Sequence, residues 1–156
     1  MKTIAELLAD HKFFGELDPQ SLEFVAGCGK NVHFAPGERI LTEGEPANTF
    51  YVLRSGSVAL SFFVPGRRDA TVIDTLGDGD VLGWSWLFPP YRWQFDAEAR
   101  DDVAAVAFDG ACLRTKCDSV ARLGYALTQR FARVILGRLQ SVRMRMIDVY
   151  GAGTPR

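Results

Sequence analysis

From Val32 onward the apolar residues come in short runs separated by glycine and proline turns, and after Asp109 they change to a helical period. Residues 32–34 and 39–41 are short extended segments on either side of Ala35-Pro36-Gly37-Glu38, where Pro presets one dihedral and Gly permits a positive φ. Residues 49–54 (TFYVLR) and 57–64 (SVALSFFV) are rich in β-branched and aromatic side chains, and Ser55-Gly56 between them predicts a hairpin. Residues 70–76, 81–82, 95–99 and 103–108 complete about eight short strands. That number of strands at that spacing predicts a mainly β fold, a barrel or a double-sheet jelly roll.

Helices flank this region. Ile4, Leu7 and Leu8 have helical spacing, and the first helix is expected to end near Gly15. Asp18-Pro19 places an acidic cap before a proline suited to the first helical position, so a second short helix is expected up to Gly27. A long helix is expected from Asp118-Ser119 to a stop at Gly151, Gly153 and Pro155. Leu123, Leu127, Phe131 and Val134 give it one apolar face. Ile135, Leu139, Val142, Met146 and Val149 then step by four and three, the narrow stripe of a helix that packs along another helix. A helix this long exceeds what a small β domain needs for cover. The expectation is a parallel homodimer through that stripe, the other reading being a helix folded back on its own domain.

The 156 residues suit one domain over 1–156, with N-terminal helices to about residue 30, a β-roll over 31–109 and C-terminal helices over 110–150. A formal net charge of −1 creates no general attraction to nucleic acid or anionic lipid. The cationic C-terminal part, Arg114 to Arg145, reads as a solvated helix face. Cys28, Cys112 and Cys117 lack metal-type spacing and are expected as reduced thiols of a cytoplasmic protein. Glu6 and Asp10 interrupt the N-terminal apolar residues, so neither a signal peptide nor a membrane span is expected.

Candidate chemistry concentrates in residues 77–100 (GDGDVLGWSWLFPPYRWQFDAEAR), which hold Trp84, Trp86 and Trp93 and the Pro89-Pro90 step. Large aromatics with polar handles beside turn residues suit a contact site for a ligand or partner. His11 and His33 are the only histidines, too few for a cupin-type metal centre, and His33 reads as a strand or edge residue. Asp74, Asp78 and Asp80 fail as a calcium loop because Leu76 and Ser85 stand where acidic ligands belong. Three dispersed cysteines cannot hold an iron–sulfur cluster, and no nucleophile arrangement can be built, so no enzyme activity is expected.

The order of elements, with Phe13-Phe14, Gly37-Glu38, Gly44-Glu45, Phe50-Tyr51-Val52-Leu53, Ser55-Gly56-Ser57-Val58 and residues 77–83 (GDGDVLG), resembles the cyclic-nucleotide-binding domain of bacterial regulators of the catabolite-activator and fumarate-nitrate-regulator type. The resemblance covers nearly the whole chain. It implies an eight-stranded double-sheet jelly roll with two short N-terminal helices and a long C-terminal dimerisation helix. It also implies a cassette in which backbone N–H groups and an Arg hold the cyclic phosphate while a Glu takes the ribose hydroxyl.

Gly83 matches the cassette glycine, but Trp84 stands at the place of the ribose-binding Glu, and Arg92 is a residue or two off the register of the phosphate-binding Arg. Losing one charge-assisted hydrogen bond weakens binding about ten- to a hundredfold. The ligand-binding candidates are Gly83, Trp84, Ser85, Arg92 and Trp93, with Arg143 on the long helix reaching back. Two functional readings stand. One is a stand-alone sensor taking cyclic AMP, cyclic GMP or an altered small ligand. The other is a ligand-free module for a protein partner, its pocket filled by its own aromatic side chains. Relatives that regulate transcription carry a helix-turn-helix after the long helix, and the residues here leave no room for one, so no direct DNA binding is expected.

Overall fold

The computed structural model describes residues 2–66 and 68–151, with the side chains of 149–151 left aside. The eight strands are β1 (Gly29–Phe34), β2 (Arg39–Leu41), β3 (Thr49–Ser55), β4 (Val58–Phe62), β5 (Thr71–Leu76), β6 (Val81–Leu82), β7 (Asp96–Ala99) and β8 (Val103–Asp109). They form two antiparallel four-stranded sheets in the orders β1-β8-β3-β6 and β2-β7-β4-β5. Of the barrel and the double-sheet jelly roll that the strand spacing leaves open, the chain adopts the jelly roll implied by the family resemblance.

Alternation along β3 and β8 divides the core in two. Leu53, Val103 and Ala105 point between the sheets with Val58, Leu60, Leu76 and Trp93. Phe50, Val52, Val106 and Phe108 point outward from the first sheet, into a cluster with Phe14, Leu113, Leu127 and Phe131 from the helices. These strands are buried on both faces, which is why their sequences read as near-continuous apolar runs.

One predicted connection is different. Ser55-Gly56 joins strands that lie in opposite sheets, so β3 and β4 do not form a hairpin; β3 pairs with β6 and β8, β4 with β5 and β7. Gly56 has φ of 96°, and a Cβ there would meet the Asp102 carbonyl oxygen at 2.3 Å. Its positive φ serves a crossover between sheets, and local turn chemistry does not distinguish that from a hairpin.

α1 (Ile4–Ala9) is closed by a capping box between Thr3 and Glu6. It ends at Asp10 rather than near Gly15, because a tight run of turns swings Phe13 and Phe14 into the core. α2 (Pro19–Ala26) begins as expected, with the Asp18 carboxylate accepting from the Ser21 N–H at 2.7 Å. The C-terminal helical region starts earlier than Asp118. α3 (Gly110–Ser119) is capped by Asp109, and only after an extended Val120 does α4 (Ala121–Gly151) begin. Leu123, Leu127 and Phe131 are fully buried, whereas Leu139 and Met146 are exposed and Ile135 and Val142 half-buried. The expected stripe position Val149 and the stop at Gly153 and Pro155 lie outside the described side chains and residues.

The cysteines differ most from expectation. Cys28 and Cys112 form a disulfide with Cα atoms 5.8 Å apart, and Cys117 remains free. They are 84 residues apart, but β1 pairs with β8 from Gly29 opposite Phe108, and the Asp109 N–H donates to the Cys28 carbonyl at 2.9 Å. Sheet register thus brings the start of β1 to the start of α3.

Candidate functional site

The cassette begins in the turn between β5 and β6. Gly77 N–H donates to the Asp80 carboxylate at 2.9 Å, Leu53 N–H donates to the Asp80 carbonyl and Gly79 N–H to the Leu53 carbonyl, each at 2.9 Å. This anchors β6, whose Val81 and Leu82 lie opposite Val52 and Tyr51. Gly83 follows with φ of 94°. A Cβ at this position would come 2.7 Å from Cζ3 of Trp93, so both dihedral and packing require glycine.

Beyond Gly83 the chain makes a single turn, with Leu87 N–H donating to the Trp84 carbonyl at 3.0 Å. Trp86 is fully buried, stacked on Phe50 at 5.1 Å and edge-on to Phe131 at 5.4 Å. Its indole N–H has no hydrogen-bond partner among the described residues. Trp84 is half-buried and edge-on to Phe95, and Trp93 is buried between the sheets. Arg114 of α3 holds the loop from outside: its guanidinium donates to the Trp86 carbonyl and sits 4.5 Å over the Tyr91 ring.

The candidate residues divide into two groups. Gly83, Trp84, Ser85 and Trp93 line one cavity, together with Leu41, Leu60, Gln94, Phe95 and Arg138. Arg92 points away; its guanidinium donates to the Gly44 carbonyl at 3.0 Å, because the chain at 91–93 is bonded to the 44–47 turn. Arg143 is exposed and lies outside the lining. The helix residue that reaches the cassette is Arg138. No feature of the sequence distinguishes it from the other arginines of α4, because its partner is 64 residues away.

Arg138 donates to the Asp74 carboxylate of β5 at 2.6 Å, with both side chains largely buried, and approaches the Val81 carbonyl at 3.5 Å. Its Nε is buried without a partner among the described residues. It separates the cassette cavity from a cleft of about 510 Å³ lined by Lys12, Glu16, Asp80, Arg130 and Arg133. In that cleft Lys12 is paired with Asp80 and Arg130 with Glu16, so most of its charge is internally compensated.

The cassette cavity itself measures about 10 Å³. That is room for a single water at most, whereas small-molecule sites usually occupy hundreds of Å³. The aromatic rings of Trp84, Trp93 and Phe95 line what space remains. Among the described residues no group of three or more His, Cys, Asp and Glu side chains is placed to hold a metal, and no helix is long and apolar enough to cross a membrane.

A family model described as the cyclic nucleotide-binding domain matches residues 31–119. A CRP-like cAMP-activated global transcriptional regulator of Mycobacterium tuberculosis is 24% identical over 150 residues, covering 96% of this chain and 65% of that protein. The chain therefore spans less than two thirds of the length of that regulator. Among solved structures, a cyclic nucleotide-binding protein from Geobacter metallireducens superposes with a TM-score of 0.77 at 27% identity, over 89% of this chain and 99% of that one. The catabolite activator protein of Thermus thermophilus shares the fold with a TM-score of 0.69 at 18% identity, over 88% of this chain and 62% of that one.

Proposed function

Because this chain belongs to the cyclic nucleotide-binding domain family, we propose that it is a regulatory module that takes a small ligand at the cassette and reports its presence through α4. The observation that carries this reading is Arg138: it belongs to α4, lines the cassette cavity and is tied to Asp74 of β5. The cassette and the long helix share a wall, so a change on one side is felt on the other.

The ligand is a cyclic nucleotide, cyclic AMP or cyclic GMP, or a small anion of related shape. It enters by displacing Trp93 or Trp84, since the cavity of about 10 Å³ admits nothing larger than water. Gly83 and Ser85 lie where backbone N–H groups meet an anion, Trp84 and Trp93 offer faces for a planar ring, and Arg138 supplies the counter-charge. Arg92 contributes only by leaving Gly44, and Arg143 takes no part. Signalling runs from a homodimer formed along the apolar stripe of α4, in the cytoplasm, to a protein partner.

A second reading draws on the same cavity. If the rings fill it permanently, the domain is a ligand-free interaction module. Thermal unfolding against cyclic AMP, cyclic GMP, cyclic dinucleotides and 5′-AMP separates the two, because a ligand that binds only the folded state raises the midpoint. The sensor reading expects a saturable rise with one of them, lost in Arg138→Met. No rise with any at millimolar concentration leaves the interaction module.

A further inference from the structure

The disulfide lies at the start of α3, the helix that touches both the cassette loop and α4. Cys28 ends the turn after α2, and Cys112 is the third residue of α3. Two residues on, Arg114 grips the cassette loop through Trp86 and Tyr91, while the same helix packs on α4. Holding the start of α3 to β1 therefore restrains the grip on the cassette and the root of the long helix together.

The bond is also placed to react. Cys28 and Cys112 line a surface cleft of about 570 Å³ with Lys30, Asn48 and Asp109. Cys28 is buried and Cys112 half-buried, so Cys112 is the more accessible residue of the pair. Lys116 is fixed by donation to the Phe24 carbonyl at 2.6 Å, and a Cβ on Gly27 would lie 2.9 Å from its ammonium, so a positive charge sits against the residue next to Cys28. A cation near a thiol favours the thiolate and makes it a better leaving group, and this charge lies one residue from Cys28. Cys112 lies in the first turn of α3, where the Gly110 N–H is taken by the Asn48 carbonyl and the Cys112 N–H by the Asp109 carboxylate, so the leaving role falls to Cys28. In a reducing compartment, disulfides are mostly transient and serve redox sensing.

We propose that Cys28–Cys112 is a thiol-exchange site, opened by a dithiol reductant, whose state sets the freedom of α3 and of the cassette loop it holds. A reductant thiolate attacks Sγ of Cys112 and forms a mixed disulfide. The Cys28–Cys112 bond breaks, and its electron pair leaves on Sγ of Cys28, which takes up a proton. The second thiol of the reductant, as thiolate, closes on the first and releases Cys112, which is protonated in turn. Two electrons and two protons pass from the dithiol to the chain, and exchange with a small disulfide such as oxidised glutathione reverses the step. Cys117 stands apart: it is outside the disulfide, and burial and then Asp118 push its thiol up from the ordinary value, which favours the protonated form. The exchange chemistry needs no ligand; only its regulatory meaning rests on the function proposed above.

The test uses the full chain with Cys117→Ser, equilibrated in mixtures of reduced and oxidised dithiothreitol, quenched by alkylation and weighed by mass spectrometry. Hydrogen exchange is followed on the same samples. The expected result is one two-electron transition in which two alkylated thiols appear, with amide exchange in residues 84–92 and 110–120 at least about tenfold faster in the reduced form and the β-roll unchanged. Cys28→Ser with Cys112→Ser should reproduce the reduced pattern. The proposal is overturned if both thiols alkylate after treatment with oxidised glutathione, if reduction leaves exchange in those two segments unchanged, or if it unfolds the whole chain. Because no nucleotide is present, none of these outcomes bears on whether the cassette takes a ligand.

Discussion

Gly83 shows how much one residue decides in this domain. Its φ of 94° and its contact with the Trp93 ring are independent reasons for glycine. Alanine there forces a left-handed backbone and pushes a buried indole off its place, at a combined cost of about 2–5 kcal/mol. Urea unfolding of Gly83→Ala should give a loss in that range. His11 is the other residue with a particular consequence. Its Nδ1 accepts from the Phe13 N–H at 3.2 Å and its Nε2 faces the Leu53 carbonyl at 3.4 Å, an arrangement that suits the neutral ring. Burial, ahead of its other influences, holds its pKa below the ordinary value. The unfolded chain therefore binds the proton more readily, so this contribution is present above about pH 6.5 and is lost as pH falls toward the folded pKa. His11→Asn, which keeps an acceptor and removes the titration, should flatten the fall of thermal midpoint between pH 7 and pH 5; an unchanged slope would assign that fall to other groups.

At the scale of elements, α4 is attached to the β-roll in two ways. Its first half buries Leu123, Leu127 and Phe131, and its second half is held by Arg138 on Asp74 and by Arg145 on the Val72 carbonyl at 3.3 Å. Breaking one side of a largely buried ion pair leaves the other charge unpaired, so Arg138→Met should cost about 3 kcal/mol, while adding Asp74→Asn should restore much of it. A double-mutant cycle by chemical denaturation measures the coupling. The cassette is attached less symmetrically. Its loop is fixed from outside by Arg114 and from beneath by Trp86, and neither contact has a signature at the level of local sequence.

For the whole molecule, the question is what covers α4. Leu139 and Met146 are 64% and 55% exposed, and Leu136 and Ile147 beside them are also open to solvent. In the homodimer proposed above these side chains meet their counterparts in a second copy. Leu139→Glu should then convert a dimer to a monomer in sedimentation velocity. Because the side chain is exposed within its own domain, the monomer's unfolding free energy should change by no more than about 0.5 kcal/mol. A wild-type chain that sediments as a monomer at tens of micromolar would rule out assembly through this face.

The mainly β fold, its eight strands and the capped second helix follow from local pattern, because alternation, glycine turns and an Asp-Pro cap act over a few residues, whereas that pattern leaves a barrel open beside the double-sheet roll. The aromatic cassette was legible for the same reason: Gly83, Trp84, Ser85 and Trp93 are close in sequence and converge on one cavity. Tertiary structure decided the features that depend on partners far along the chain. It sent β3 and β4 to opposite sheets, joined Cys28 to Cys112 across 84 residues, turned Arg92 to Gly44 and brought Arg138 rather than Arg143 to the cassette. Each of these is set by sheet register and by the path of α4 over β5. Such geometry arises only when the whole chain closes its core, since periodicity names the face a side chain occupies and not the residue it meets.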